Sequence, residues 1–406
     1  MAQRLSQPKK IAFLLVPLFV CLLVLESVVR LAGYDPLRSQ TATLSVTGYF
    51  WIADETLGFR NRPMGRYLNS KIKGEPLVTT DALGYRNGVS PAPGQSGRCV
   101  IFVGDSTVFC GEVNDEETGP SEVAKWLCAK RVTVRVINTG VRGFNTVQAK
   151  RMLVDSLTRF PGPGVVVYVY CDNDVVENLN PIVYYPLRTP TAWWDETTGK
   201  VVERGPGPQI VPWGQSFETV TPPAPGVFKN IAKRGLVVSH SALLYSTVMS
   251  VSTLFARALG KKARMIALED GSIGPILSGM DEWKNQEVWA RQNHGEQILE
   301  RLLKEMRALC ANHGYEFITT RFTTGGDGNA DRWLAEVCRR AGVHFGGISD
   351  QFKGDSRQYR AAYAGIPAHD GHYNTTGTRK FADSLGPAIQ SILVTQEPGQ
   401  EYGVSK

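Results

Sequence analysis

No two cysteines in this chain of 406 residues stand in a C-x-x-C spacing, only six histidines accompany the seven cysteines, and no cluster of five or more Lys or Arg occurs. The first two deficits argue against zinc, whose ligands usually come in close Cys or His pairs. An odd cysteine count also forbids complete internal disulfide pairing. The third deficit weakens a nucleic-acid reading, even though Lys plus Arg outnumber Asp plus Glu by 45 to 38. Through Arg4, Lys9, Lys10 and Arg30 against Glu26, the first thirty residues hold three of those seven surplus charges, leaving four for the other 376. What is present is ordinary: 42% hydrophobic and 20% charged positions exclude disorder, and 41 glycines without period exclude a collagen-like chain. The length suffices for one large or two ordinary domains with a core of their own.

Long hydrophobic runs are scarce as well, and one of them stands at the N-terminus. Arg4, Lys9 and Lys10 precede an apolar run from Ile11 to Leu25, which resumes after Glu26 through Ser27, Val28 and Val29. As a helix the uninterrupted run reaches only about 22 Å against a hydrocarbon core of roughly 30 Å, so a span must recruit the turn with Glu26 or thin the bilayer. A secretory signal peptide is the competing reading. No small-x-small cleavage site follows the run, and Val20 before Cys21 is not the small residue of a lipoprotein signal. Residues 1–33 are therefore expected to be an uncleaved N-terminal transmembrane helix, a signal anchor, with the chain after about residue 30 on the extracytoplasmic, periplasmic side. Function would then lie beyond the reach of cytoplasmic ATP and NAD.

Residues 34–98 form a polar, turn-rich lead-in. It contains a loose internal echo, Thr56-Leu57-Gly58-Phe59-Arg60 and Ala82-Leu83-Gly84-Tyr85-Arg86, and ends in the linker-like Pro91-Ala-Pro-Gly-Gln-Ser-Gly97. From Cys99 the pattern changes. Unbroken apolar runs at Cys99–Val103, Val132–Ile137 and Val165–Tyr170 read as strands covered on both faces, with helices at Pro120–Ala129 and Val147–Thr158 between them. Later come a helix from about Glu287 to Asn312, with Ile298, Leu299, Leu302, Leu303, Met306 and Leu309 at helical spacing, and a strand at Tyr315–Thr320. A helix near Ala330–Ala341, a strand at Val343–Ile348 and a terminal helix at about Thr376–Leu393 complete the series. The alternation predicts an α/β domain over 99–395, a three-layer α/β/α arrangement on a mostly parallel sheet, with a tail at 396–406. An insertion is expected at about 178–264. Its first part, 178–226, holds nine of the 23 prolines and the aromatics Tyr184, Tyr185, Trp193, Trp194 and Trp213, and reads as a long loop. Such a loop is either a lid or binding loop, or a surface segment whose aromatics cover core.

The most informative point is Gly104-Asp105-Ser106-Thr107 directly after a buried strand. In a doubly wound sheet ligands bind outside the carboxyl ends of strands, and a Ser at a strand-to-helix turn can present its hydroxyl there beside a free backbone N–H. Three further segments follow in order: Asn138-Thr-Gly-Val-Arg-Gly143-Phe-Asn, Cys171-Asp-Asn173-Asp174, and His369-Asp370-Gly-His372-Tyr-Asn ahead of the last helix. Taken singly, each suits a bland role. Ser106 could cap a helix, Asn173 could sit in a turn, and Asp370 with His372 could form a capped loop.

Together, in this order and at strand ends, the four blocks resemble the SGNH (GDSL-type) hydrolases, over about residues 99–395. That family's blocks are a GDS nucleophile, a Gly, a G-x-N-D, and a D-x-x-H or D-x-H. The lead-in is similar to the region before the nucleophile in membrane-anchored members. The resemblance implies a flavodoxin-like SGNH fold, with Ser106 as nucleophile, His372 as general base and then acid, and Asp370 orienting the imidazole. It also implies an oxyanion hole from the backbone N–H groups of Ser106 and Gly143 and the Asn173 amide. Two departures stand out: Cys171 replaces the usual Gly of the third block, and the fourth is D-x-H, a form shared by polysaccharide O-acetylation members. His369 lacks an acid at the right spacing. Asp105 and Asp174 are expected to satisfy loop N–H groups, and Cys110 to serve packing.

The chemistry needs these residue types, because serine is a poor nucleophile until a base takes its proton and imidazole both accepts and returns one near neutral pH. The expected activity is a membrane-anchored serine esterase acting through an acyl-enzyme, without metal or cofactor. The aromatics favour acyl groups, acetyl above all, on carbohydrate, with a lipid ester as the other partner. Two alternatives remain: an O-acyltransferase to a polysaccharide, and a non-catalytic protein that binds acylated glycan in an envelope assembly. If His372 is the base, the rate should rise with pH between about 5 and 8.

Overall fold

The computed structural model describes residues 17, 20–28, 51–88, 98–179, 189–206, 261–267, 273–279, 294–326 and 328–395. The chain divides into two compact units, one of residues 47–209 with 286–406 and one of residues 1–46 with 210–285.

In the larger unit, residues 51–88 fold into two antiparallel hairpins, β1 (Trp51–Asp54) with β2 (Gly58–Asn61), and β3 (Arg66–Leu68) with β4 (Leu77–Thr79). The sequence echo is a structural one. Asp54 Oδ1 accepts from Thr56 and Leu57 N–H, and Asp81 Oδ1 from Leu83 and Tyr85 N–H, each at 2.8–2.9 Å. Short carboxylates of this kind close turns on their own backbone. In both turns the glycine, Gly58 or Gly84, sits at φ 81°, and the aromatic after it is buried.

The centre of the unit is a parallel sheet of β5 (Cys99–Gly104), β6 (Arg135–Asn138), β7 (Gly164–Tyr170), β12 (Tyr315–Arg321) and β13 (His344–Phe345), in the spatial order β13-β12-β7-β5-β6. Counting only these five, the order is 2-1-3-4-5, the doubly wound arrangement whose switch point falls between the first and third strands. Val100, Phe102, Val165, Val167 and Ile318 enter one core with α2 (Gly119–Ala129) and α7 (Thr375–Thr395). The other face is covered by α3 (Thr146–Arg159) and α5 (Gly295–Asn312), and α6 (Gly328–Ala341) lies against α5. Both faces are therefore apolar, which is why β5 and β7 read as unbroken hydrophobic runs. Two one-turn helices, α1 (Ser106–Phe109) and α4 (Asp174–Glu177), follow β5 and β7. Further hairpins are β8 (Thr191–Asp195) with β9 (Lys200–Arg204), and β14 (Arg360–Ala362) with β15 (His369–Tyr373). In the smaller unit, β10 (Lys261–Ala267) pairs with β11 (Ile273–Gly279).

Several expectations shift. The second core strand starts at Arg135 rather than Val132, because Arg131 at φ 60° and Val132, whose N–H reaches Leu127 O at 3.0 Å, complete the end of α2. The fifth is two residues long, since Gly346 and Gly347 have no side chains to hold a strand. Cys310, not Leu309, takes the last buried position of α5. The proline-rich stretch is not wholly a loop: Trp193 and Trp194 sit half-buried on the β8–β9 hairpin, while Tyr184, Tyr185 and Trp213 lie outside the described residues. Most of the N-terminal apolar run also lies outside them. Among the described residues no helix is long and apolar enough to cross a membrane.

Candidate active site

Gly104 ends β5, and a Cβ there would come within 2.7 Å of Val108 Cγ2 and 3.0 Å of the Val169 carbonyl oxygen. Glycine thus lets the chain turn hard against β7 and start α1 at once. Asp105 caps α1: its Oδ1 accepts from Thr107 N at 2.8 Å and from Thr107 Oγ1 at 2.7 Å. Ser106 is the first residue of the helix, so its N–H is one of the donors that helix geometry leaves without an intrahelical partner. Asn138 and Gly140 pin the helix from below the second core strand's end. Asn138 Nδ2 donates to Val108 O at 2.8 Å, and a Cβ on Gly140 would strike the Val108–Phe109 backbone.

The imidazole beside Ser106 comes from the far end of the chain. On β15 side chains alternate, so Asp370 and His372 share one face while His369 points the other way, exposed, toward a 340 Å³ cleft. His372 Nε2 lies 2.8 Å from Ser106 Oγ, and its Nδ1 contacts Asp370 Oδ1. Asp370 Oδ1 also accepts from the His372 backbone N–H at 2.9 Å. Burial works to raise the Asp370 pKa, but its bonds to His372 prevail and hold the carboxyl below its usual range. For His372, burial works against the charged form and is outweighed by Glu112 and Asp370, which push it up to about 9. The structure thus brings Ser106, His372 and Asp370 into one hydrogen-bonded chain.

Gly143 and Asn173 stand at neighbouring strand ends rather than in that chain. Gly143, buried at φ 79°, lies in the turn whose Val141 N–H reaches Gly104 O at 3.3 Å. Asn173 precedes α4, and since Gly104 pairs with Val169 in the sheet, the Cys171–Asp174 block begins beside the turn that carries Ser106. The block is fixed from both sides. Asp174 accepts from Tyr168 Oη at 2.6 Å and Cys171 N at 3.0 Å, and Asp172 receives Arg321 Nε at 2.9 Å and Nη2 at 2.5 Å. Asn173 Oδ1 is buried without a hydrogen-bond partner among the described residues. Cys110 is buried, donates to Thr107 O at 3.1 Å, and has its thiol pushed up to about 12 by burial, which suits packing and not attack.

Sequence reasoning missed Glu112, six residues beyond Ser106. One ligand atom each of Glu112, Asp370 and His372 lie within 4.8 Å of one another. A metal ion there would have to take Nδ1 from Asp370 and so break the chain to Ser106. The aromatics proposed as a sugar platform are partly engaged already, Trp194 stacking on His294 at 5.1 Å and Trp193 lying 5.8 Å from the Arg204 guanidinium.

No family model matches the chain, and no curated protein matches it. Two solved structures of variants of Axe2, an acetylxylan esterase from Geobacillus stearothermophilus, are similar to it. One is a catalytic mutant, at 12% identity and a TM-score of 0.34 over 73% of this chain and 96% of that one. The other aligns at 13% identity and a TM-score of 0.33, covering 72% and 95%. A likeness of this size assigns neither activity nor substrate.

Proposed function

We propose that this chain is a serine ester hydrolase of the SGNH type, with Ser106 as nucleophile, His372 as base and then acid, and Asp370 orienting the imidazole. The observation that carries the reading is the chain from Ser106 Oγ through both His372 nitrogens to Asp370. A protein that merely binds acylated glycan has no use for a serine hydroxyl held on a base. Ser106 Oγ would attack the ester carbonyl carbon while its proton passes to Nε2. The oxyanion formed would be met by the N–H groups of Ser106 and Gly143 and the Asn173 amide, and collapse would expel the alcohol carrying the proton from Nε2. Water, or a sugar hydroxyl in a transferase, would then take the acyl group from Ser106 by the same steps in reverse.

Acetyl esters of carbohydrate are the first substrates to test, with lipid esters second. Extracytoplasmic placement rests on the N-terminal sequence, and it suits the helical residues 20–28, whose Val20, Leu22, Leu23, Val24, Leu25 and Val28 leave about half their surface exposed. The experiment is release of p-nitrophenol from p-nitrophenyl acetate by the full-length chain in detergent, with Ser106→Ala alongside. Equal rates in the two proteins would remove the catalytic assignment. Adding oligosaccharide acceptors and weighing the products separates hydrolysis from transfer.

A further inference from the structure

Glu112 has no part in the chemistry above, yet only 1% of its side chain is exposed. It lies in the turn after α1, just past Cys110, which is held at φ 52°. Its Oε1 stands 3.8 Å from His372 Nδ1, the nitrogen that contacts Asp370. Arg142 Nη2, from the turn after β6, is 3.1 Å from the same oxygen. Neither oxygen of Glu112 accepts a hydrogen bond among the described residues, so the Arg142 contact is an ion pair without hydrogen-bond alignment. A buried carboxylate this poorly hydrogen-bonded is costly unless nearby positive charge holds it. Among the described residues, the cationic groups around it are Arg142, the protonated His372 and, farther off, Arg86.

We propose that Glu112 is a second positioning carboxylate for the His372 imidazole, which is held between Asp370 and Glu112 while Arg142 meters the charge of Glu112. The inference rests on the esterase reading and adds a residue to it. Among the described residues, the charged groups around His372 are Glu112 from the turn after α1, Asp370 from β15, Arg142 from the turn after β6, and Asp105 at one remove through Ser106 Oγ at 3.3 Å. The neighbour just past the end of β12, Phe322 with ring centroids 6.3 Å apart, carries no charge. Glu112 and Asp370 both raise the basicity of the imidazole, and Arg142 opposes them. The arrangement favours the imidazolium that forms as Ser106 attacks, and makes the neutral base scarce at pH 7.

The test is an NMR titration of the His372 ring in full-length, ¹⁵N-histidine-labelled protein, assigned with His372→Ala, for wild type, Glu112→Gln and Arg142→Gln. Glu112→Gln should lower the midpoint by about one unit or more, and Arg142→Gln should raise it. Opposite signs are the signature, since loosening the loop alone would move both variants the same way. With p-nitrophenyl acetate, Glu112→Gln should shift the acid limb of kcat/KM to lower pH by the same amount, while the plateau above the midpoint falls because the imidazolium formed as Ser106 attacks loses a stabilising charge. A Glu112→Gln midpoint within about 0.3 unit of wild type, or parallel shifts in both variants, would overturn the proposal. Should Glu112→Gln not fold, Arg142→Gln decides: an upward shift supports the proposal and any other result overturns it. The titration needs no turnover, so loss of the esterase reading, seen as turnover independent of Ser106, would be recognised separately.

Discussion

Replacing Arg86 by methionine removes a buried charge and all its N–H donors while keeping much of the side chain's bulk. None of the Arg86 side chain is exposed, and its Nε, Nη1 and Nη2 donate to the carbonyls of Phe109, Thr79 and Val113 at 3.2, 3.3 and 2.9 Å. It also pairs with Asp115, which is 21% exposed and keeps the Thr79 N–H at 3.0 Å and the Thr79 hydroxyl if the arginine goes. Burial works against the guanidinium, lowering its pKa to about 10, so these acceptors are what hold the charge inside. Breaking a buried pair costs roughly 3–5 kcal/mol, and the bonds Asp115 retains place the expectation near 3. The echoed turn supplies an internal control. Arg60 follows the same Leu-Gly-aromatic motif but is 31% exposed and faces Asp54 at 3.9 Å, so Arg60→Met should cost less than about 1 kcal/mol. Urea unfolding followed by tryptophan fluorescence gives both values from the shift in midpoint at constant slope. Equal losses, within about 0.5 kcal/mol, would refute the claim that burial and not the turn motif makes Arg86 matter.

Three more outcomes follow from the geometry. With His372 raised to about 9, kcat/KM for p-nitrophenyl acetate should climb about tenfold per pH unit up to that point, whereas levelling off near pH 7 would mean an ordinary histidine. Burial pushes Glu177 up from 4.5 to about 8, the nearby Asn173 amide acting the other way, so the native state keeps a proton that the unfolded chain releases near 4.5. Stability should therefore fall as pH climbs from 4.5 to 8, and Glu177→Gln should raise Tm by several degrees at pH 8 and little at pH 4.5, as read by calorimetry. Gly140→Ala should push α1 off its seat and cut kcat on the order of 10-fold or more with KM less affected, measured with the same ester, because a small displacement of Ser106 from Nε2 is costly.

The parts of the fold legible in sequence were those whose signal is local. Cys99–Gly104 and Gly164–Tyr170 are buried on both faces and therefore apolar at every position, and α3 and α5 announce themselves by period. Asp370 and His372 were legible too, since two-residue spacing in extended backbone puts both on one face whatever the rest of the chain does. The β8–β9 hairpin was readable and overlooked: Thr191–Asp195 and Lys200–Arg204 flank a turn whose Gly199 takes φ 61°, but the density of prolines around them suggested a loop. Glu112 was not readable. It lies in a short aperiodic turn, and its partner His372 is 260 positions away in the chain, brought near only when β15 folds over α1.

The same long-range logic gives the lead-in segment its purpose. Three of its polar side chains close on backbone carbonyls of the turns around Ser106: Asn61 Nδ2 reaches Gly140 O at 3.0 Å, Asn69 Nδ2 reaches Gly111 O at 2.7 Å, and Arg86 spans Phe109 and Val113. Each bond ties a carbonyl that no helix or strand would satisfy, since the 110–113 turn and Gly140 lie outside regular structure. Left to water, those two turns would be free to move, and with them Glu112 on one side of His372 and the seat of α1 on the other. Residues outside the hydrogen-bonded chain thereby brace the turns that flank Ser106 and carry Glu112. In this protein the residues of the hydrogen-bonded chain could be found by motif, but those that brace the turns beside them are scattered through a segment that reads, in one dimension, as a linker.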